Sequence, residues 1–330
     1  MKLFIKVSRQ LGAPAIWLAL ILTLAPPSPA RAAEFGTGVY VLGYQSSLAG
    51  YQPDPGFYLR NDFYIYQGNA KILPFSGRVE ADLRNRFITD LIAATYVTPL
   101  EIIGAHYAFG LVWSSVTNSF LKGNLQFETR FPRLNQFLDR RLDGSKEGDY
   151  TGVSDLQVMP INLGWHLGQF HIMAFGSFYA PVGSYNSDRR LNTGFGRWAL
   201  DPNLAVTWLH PKYGQEVSIS MGYTINFENP APQYRTGNEF HLEYFLGQHL
   251  PKGFAVGLAG YIYNQMTADT GPGATLGAFH GQTIALGPCL IFNSKIGDHA
   301  IGLNARYYNE VKVKNRFDGQ SFFLTLSLGI

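Results

Sequence analysis

The stretch PDPGFYLRNDFYIYQG, residues 53–68, alternates two kinds of side chain. One parity is mostly apolar and holds Phe57, Leu59, Phe63 and Ile65, with Asn61 as the exception. The other parity is aromatic and charged and holds Tyr58, Arg60, Asp62, Tyr64 and Tyr66. Because successive side chains of a β-strand point to opposite faces, the pattern predicts a strand with one apolar and one polar face. A soluble sandwich contains such strands, and so does a membrane barrel with lipid outside and a polar lumen.

The N-terminus has the order of an export signal. A basic start, an apolar run over residues 15–25 and small residues at positions 30 and 32 follow one another. This order predicts a signal peptide over residues 1–32, cleaved after Ala32. The apolar run is too short to cross a bilayer as a helix, which takes about 20 residues.

The composition of the exported chain favours β-structure. Four of the 26 basic residues lie in the first 32 positions, which leaves 22 against 23 acidic residues and no basis for a nucleic-acid partner. Cys289 is the single cysteine, so no intramolecular disulfide forms. No run of 18 apolar residues follows the signal, while the 36 glycines exceed the usual share of about 7%. An exported chain of this kind is typical of outer-membrane barrels.

Twelve segments predict an all-β fold, a transmembrane antiparallel β-barrel of about 12 strands over residues 57–330. The strands are expected at about 57–69, 84–98, 101–115, 154–166, 168–182, 197–210, 214–227, 236–249, 252–267, 281–294, 297–311 and 320–330. Short connections are expected at 98–100, 167–168, 211–213, 251 and 294–296, and long ones at 70–83, 116–153, 183–196, 228–235, 268–280 and 312–319. Short periplasmic turns alternate with longer outer loops in outer-membrane barrels. Tryptophan supports the same topology, because Trp113 and Trp198 fall at the predicted outer rim and Trp165 and Trp208 at the inner rim.

The side chains of lumen parity are the candidate site residues. They are Tyr58, Arg60, Asp62, Tyr64, Tyr66, His106, Glu239, His241, Glu243, Arg306 and Glu310. The charged ones form three rows, Arg60 with Asp62, Glu239 to Glu243, and Arg306 with Glu310. We interpret these rows as a stabilising charge network, with contact to a solute as the alternative.

Motifs of catalysis are missing from the sequence. It contains no GxSxG, HExxH, CxxC or P-loop, and GPGATLG at residues 271–277 lies in a predicted hairpin loop rather than between a strand and a helix. An outer-membrane phospholipase also has twelve strands, but here no histidine is closely followed by Ser-Asn. We therefore expect no enzyme activity, no cofactor and no metal.

Residues 33–56 precede the first predicted strand and are nearly uncharged, with only Glu34 and Asp54 carrying charge. A free tail of this apolar, glycine-rich composition would expose apolar surface to water. We expect it to fold into the lumen as a plug, with residues 53–56 turning the chain into the first strand. The alternative is a segment along the periplasmic rim.

The opening motif also carries a family resemblance. Residues 53–58, Arg60-Asn61-Asp62 and residues 64–68, together with GTGVYVLGYQSSLAGYQ before them, resemble the MetA-pathway phenol-degradation family. The resemblance implies an outer-membrane channel linked to the catabolism of aromatic compounds, and it supplies no binding residues to carry over. The chain departs from the common barrel ending at Ile330, where an aromatic residue is usual.

The residues and the resemblance lead to one functional expectation, uptake of small hydrophobic or aromatic compounds across the bacterial outer membrane. Twelve strands enclose less space than the 16–18 that leave an open aqueous channel. Aromatic residues of lumen parity suit such solutes: Tyr58, Tyr64, Tyr66, Phe245, Tyr261 and Tyr263. The expected partners are membrane lipid and these solutes. A small diffusion porin for polar solutes and a non-transporting binding or structural barrel are the alternatives, and the oligomeric state is left open.

The longest predicted loop gives a test of topology. Residues 116–153 carry six basic and five acidic residues between Lys122 and Asp149, and we expect this loop outside the cell. An epitope inserted beside Gly144 should be labelled by antibody on intact cells. Labelling that requires a permeabilised outer membrane would invert the topology.

Overall fold

The strands close into one antiparallel ring. The computed structural model describes residues 38–72, 79–127, 146–189, 191–274 and 280–330, so the predicted signal peptide lies outside the described residues. The strands are β1 (Gly56–Ile72), β2 (Val79–Ile102), β3 (Ala105–Phe127), β4 (Lys146–Gly152), β5 (Leu156–Leu167), β6 (Phe170–Ala180), β7 (Ala199–Leu209), β8 (Gln215–Asn226), β9 (Glu239–His249), β10 (Phe254–Gln265), β11 (Gln282–Ile296), β12 (His299–Lys314) and β13 (Asp318–Gly329). β1 pairs with both β2 and β13, which closes the sheet into a barrel.

Two of these strands share one position in the ring. β4 pairs with β3 over residues 117–123, and β5 pairs with β3 over residues 106–112. The thirteen strands of the described residues therefore fill twelve positions, and the predicted twelve-stranded antiparallel barrel is confirmed. A closed ring leaves no unpaired sheet edge, which is the condition for strands to cross a bilayer.

The two faces of the wall follow the predicted alternation. In β8, the even-numbered residues from Glu216 to Asn226 are buried, and the odd-numbered ones from Val217 to Ile225 are more exposed. The outward face carries many exposed apolar side chains, among them Phe63, Leu204, Met221, Leu246, Leu258, Leu290, Leu303, Leu324 and Leu326. Water disfavours such a continuous apolar surface, whereas lipid accommodates it. Among the described residues, no helix is long and apolar enough to cross a membrane.

One predicted turn was wrong. The expected turn at residues 98–100 is an irregularity within the β2–β3 pairing, and the chain turns instead at Ile103 and Gly104. Both of these residues have positive φ, 48° and 75°, the backbone of a two-residue hairpin turn whose twist matches its strands. Pro99 had suggested the turn, but proline is also tolerated at such irregularities of a sheet.

The loop boundaries also differ from expectation. The predicted loop 116–153 is too long, because β3 runs to Phe127 and β4 begins at Lys146, and Trp113 therefore does not end its strand. At 24 and 23 residues, β2 and β3 exceed the roughly 9–11 residues that span a bilayer, so this hairpin continues beyond it. The predicted connections at 294–296 and 312–319 are likewise largely strand.

Asn61, the polar exception on the apolar face of β1, has a local partner. Its side-chain amide donates to the carboxylate of Asp90 on β2, with an N–O distance of 2.8 Å, and Ser115 on β3 donates to the same carboxylate at 2.5 Å. The cluster lies at a register shift beside Asp90. The three polar side chains therefore satisfy one another on the outward face.

The pairing of β1 with β13 predicts a heat-sensitive closed form. Purified protein in detergent should give a β-rich circular dichroism spectrum and should migrate differently on gels before and after boiling. Deletion of residues 318–330 removes β13, opens two sheet edges and should abolish the unboiled form. A helical spectrum, or retention of the unboiled form in the deletion variant, would contradict the closed barrel.

Candidate functional site

The N-terminal segment, defined here as residues 38–52, lies against inward-facing side chains of the barrel. Gly38 packs so closely on Glu239, at the first residue of β9, that a Cβ there would lie 2.9 Å from the carboxylate oxygens. At the other end of the segment, the Gly50 amide donates to Thr207 near the end of β7, at 3.0 Å. The segment therefore runs from the long-loop end of the lumen to the end where the short turns lie.

Close packing leaves little room between the segment and the wall. A Cβ on Gly50 would lie 2.5 Å from the backbone oxygen of His171. A Cβ on Gly164 of β5 would lie 2.0 Å from the side chain of Gln52. Both contacts are shorter than any Cβ tolerates, so glycine is required at these two approaches.

Two buried carboxylates hold the segment. Glu243 accepts hydrogen bonds from the Tyr40 hydroxyl at 2.6 Å and from the amides of Gly43 and Gln45 at 2.5 and 2.8 Å. Glu216 accepts from the Ser47 hydroxyl at 2.7 Å and from the Leu48 amide at 2.6 Å. Hydrogen bonds to an ionised acceptor are the stronger kind, so these two residues supply the main polar anchors of the segment.

Tyr40 is the aromatic contact of this anchor. Its ring stacks on the imidazole of His241, with centroids 3.7 Å apart and an interplanar angle of 18°. Burial raises the pKa of Tyr40 well above its usual value, and the Glu243 carboxylate raises it further. Tyr40 therefore stays protonated and donates to Glu243. His241 in turn lies 3.0 Å from Asp201 through Nε2.

Two arginines of the wall, Arg306 and Arg60, also contact the segment. Arg306 donates to the Ser46 hydroxyl at 2.9 Å, and Arg60 donates to the Tyr44 carbonyl at 2.9 Å. The Arg60 guanidinium also lies 4.2 Å from the centroid of the Tyr44 ring. Burial raises the pKa of Tyr44 to about 12, so the ring beside Arg60 is neutral. The segment is thus bonded to β1, β7, β8, β9 and β12.

Arg60, Asp62 and Arg306 form one charged cluster. Asp62 is fully buried and lies 2.7 Å from Arg60 and 3.5 Å from Arg306. The Thr325 hydroxyl donates to the same carboxylate at 2.5 Å. One buried carboxylate therefore neutralises part of the charge of two guanidinium groups, which otherwise would be costly to desolvate.

The predicted row of Arg306 with Glu310 is wrong as a pair, because the two side chains have different partners. Glu310 accepts from the hydroxyls of Tyr66 and Tyr261 at 3.0 and 3.1 Å, and from the Gly319 amide at 2.7 Å. Glu239, the other candidate carboxylate, accepts from the Tyr263 hydroxyl at 2.5 Å. Tyrosine hydroxyls thus satisfy these wall carboxylates.

Three of the sequence-derived candidates lie apart from these clusters. Tyr64 is buried, with its ring centroid 4.5 Å from that of Phe323. Tyr58 donates to the backbone oxygen of Asp54 at 2.7 Å, at the beginning of β1. His106 lies near the turn of the β2–β3 hairpin, 4.0 Å from Glu101.

The sequence-based candidates omitted two anchoring residues. Asp201 is fully buried and accepts from Thr224 at 3.0 Å and from Asn203 at 2.8 Å. Glu216 is almost fully buried beside Ser218, whose hydroxyl donates to it at 2.6 Å. Both have the same parity as the small polar residues of their strands, and this signal could have identified them.

A crevice separates the segment from the wall on the side of β1, β2 and β3. Two small cavities lie there, of about 40 and 50 Å³. Their wall side includes the apolar or aromatic residues Tyr64, Tyr66, Phe87, Leu91 and Val112. The lumen therefore has a polar side that hydrogen-bonds to the segment and a more apolar side that packs against it around the two cavities. In the described residues, no group of three or more His, Cys, Asp or Glu could hold a metal ion.

A closed antiparallel barrel with an apolar outward face and a polar, filled interior defines the class, an outer-membrane β-barrel. The model of the family described as "Putative MetA-pathway of phenol degradation" matches residues 61–326. The match spans most of the chain, so the protein belongs to this family, and the resemblance of the opening motif is confirmed. No match was found among curated proteins.

Solved structures support the fold. An outer membrane channel from Pseudomonas putida F1 is similar at 13% identity with a TM-score of 0.61, over 84% of this chain and 97% of that one. A FadL homologue from Pseudomonas aeruginosa is 10% identical with a TM-score of 0.37, over 90% of this chain and 97% of that one. At these identities the first likeness concerns the fold alone, and the second is too low to support an argument.

From the geometry of the Asp62 cluster we expect substitutions of its residues to lower the free energy of unfolding by unequal amounts. Asp62→Ala leaves two guanidinium groups without their shared carboxylate and should lower the free energy of unfolding by about 3–5 kcal/mol. Arg60→Ala should cost less, because Asp62 keeps Arg306 and because the Arg60 side chain is 26% exposed. The measurement is thermal unfolding in detergent, with the exposed turn variant Asp298→Ala as the control. Equal losses for Asp62→Ala and Arg60→Ala, or strict additivity in the double variant, would contradict the shared cluster.

Proposed function

We propose that the protein is an outer-membrane channel for small hydrophobic or aromatic compounds, with the N-terminal segment acting as a movable plug. One observation supports this proposal above the others. The segment is hydrogen-bonded to buried carboxylates of β8 and β9 and packs, around small cavities, against the more apolar and aromatic wall of β1 to β3. A path along that wall, opened by displacement of the segment, would offer apolar contact to the solute.

The size of the crevice indicates that the segment must move. Pockets for drug-sized ligands enclose about 300–1,000 Å³, whereas a single water needs only about 10–15 Å³. The cavities beside the segment, about 40 and 50 Å³, accommodate water but no such solute. Passage therefore requires displacement of residues 38–44, which form one side of both cavities.

The chemistry of the wall supports an apolar or aromatic solute. Tyr64, Tyr66 and Phe87 contribute aromatic side chains to the lining of the crevice, and Leu91 and Val112 extend the apolar surface toward β3. Aromatic rings stack favourably on one another in offset or edge-to-face arrangements. The family description refers to phenol degradation, and the similar Pseudomonas putida F1 barrel is described as an outer membrane channel. The first description agrees with this solute class, and the second agrees with a channel.

The anchors of the segment set how often the path opens. Glu243 alone accepts three hydrogen bonds from the segment, two of them from backbone amides. Glu310 is a buried carboxylate on the same inner surface, but its bonds are to the wall only. The two residues therefore form a matched pair for testing the plug.

Weakening the anchor should open the channel. In Glu243→Gln the side chain keeps its size, but its amide group faces donors, which should favour the displaced segment by about tenfold or more. Uptake of a toluene-sized aromatic solute into liposomes and single-channel current in planar bilayers should both rise. The control Glu310→Gln should leave both near the wild-type level.

Three outcomes would count against the proposal. Sugars that enter liposomes as readily as the aromatic solute would favour a polar-solute porin. Equal effects of Glu243→Gln and Glu310→Gln would show that general destabilisation, rather than release of the segment, changes the conductance. Unchanged uptake and current in a correctly folded Glu243→Gln barrel would exclude a plug anchored at this carboxylate.

A further inference from the structure

A polar groove lies on the wall at the long-loop end of the barrel, away from the lumen site. Its volume is about 1010 Å³. The side chains that line it and share the parity of the outward face are Gln67, Asn69, Arg84, Arg86, Phe120, Asn309, Asp318 and Gln320. Gly68, Asn85 and Gly319 complete the lining, and none of the lining residues is shared with the cavities on the path proposed for solutes.

The groove begins where the apolar band ends. On β1 the outward residues change from Phe63 and Ile65 to Gln67 and Asn69 within one register step. The neighbouring strands change at the same register, because Ile65 pairs with Phe322 and Gln67 pairs with Gln320. A molecule seated here would therefore contact polar side chains above and apolar side chains directly below.

The charge of the groove is positive. Arg86 lies with its guanidinium carbon 5.1 Å from the centroid of the Phe120 ring, and its buried Nε has no hydrogen-bond partner. Arg84 is exposed on the same face, two residues along β2. Within the described part of the chain, neither guanidinium has an ion-pair partner. Among the described residues that line the groove, Asp318 is the one acidic residue, so the two cations exceed the carboxylate by one charge.

We propose that this groove binds the phosphate head group of a glycolipid in the outer leaflet of the membrane. Guanidinium groups recognise phosphate through paired N–H donors, and Arg84 and Arg86 place two guanidinium groups on this face. The orientation follows from the long loops, which face outward in outer-membrane barrels, so the groove lies at the level of the outer head groups. Ile65 and Phe322 lie beneath it and supply the surface for an acyl chain. Basic pockets beside an apolar surface are typical lipid head-group sites.

The first test needs no variant. The wild-type protein in detergent is titrated with lipid A, which carries two phosphates, with the same lipid after removal of its phosphates, and with inorganic phosphate, and binding is followed by native mass spectrometry. Intact lipid A should bind at least about tenfold more tightly than the other two, and its affinity should fall as salt rises. Equal binding of the dephosphorylated lipid would overturn the phosphate contact. Equal binding of inorganic phosphate would reduce the groove to a simple anion site and overturn the lipid assignment.

Variants then locate the site. Arg84→Gln combined with Arg86→Gln should weaken lipid A binding by about tenfold or more, because both charge-assisted contacts are lost. The matched control is Lys252→Gln with Lys295→Gln, which removes two exposed cations at the opposite end of the barrel. Equal loss in both double variants would assign the binding to general charge and overturn the site. If the arginine variant does not fold, Arg84→Lys with Arg86→Lys keeps the charge, and unchanged affinity in it would overturn the guanidinium-specific contact.

Discussion

The pairing of β1 with β13 is the constraint on which the rest of the molecule depends. In lipid, every backbone N–H and C=O group must find its partner within the protein, and an open sheet of these strands would leave two edges unpaired. The pairing of Tyr58 to Asn69 with Asp318 to Gly329 removes both edges. Closure in turn assigns every strand residue to one of two environments, lipid or lumen. The opposite properties of Phe63 and Asp62, which are neighbours in the chain, follow from that division.

Closure also places polar groups in the interior of the barrel, where they need hydrogen-bond partners. The lumen of twelve strands is lined by charged and hydroxyl groups that must be satisfied where little water fits. Tyrosine hydroxyls satisfy Glu239 and Glu310 from the wall itself, and two arginines and a threonine surround Asp62. Glu243 finds its three donors in the N-terminal segment, and Glu216 finds two of its donors there. The segment therefore completes the hydrogen bonding of the lumen as well as filling its volume.

The sequence predicted the barrel well, because the period-two alternation of polar and apolar side chains is visible within each strand on its own. It placed Arg60 beside Asp62, but it could not assign the partners of the other charged candidates. Arg306 and Glu310 are near in sequence but do not pair, because their partners come from other strands. Turn positions failed where backbone conformation overrode composition, as at Ile103. Asp201 and Glu216 were within reach of the same parity rule that identified Glu243.

The tight approaches of Gly50 and Gly164 have a consequence for how the family can vary. Where the segment is bulky, as at Gln52, the wall carries glycine, and where the wall backbone comes close, the segment carries glycine. A larger residue on either side requires a compensating change on the other. For Gln52 and Gly164 these two positions are more than 100 residues apart in the chain. The segment and the wall therefore form one sterically matched unit. An N-terminal segment exchanged between distant relatives should fit only when its facing strands are exchanged with it.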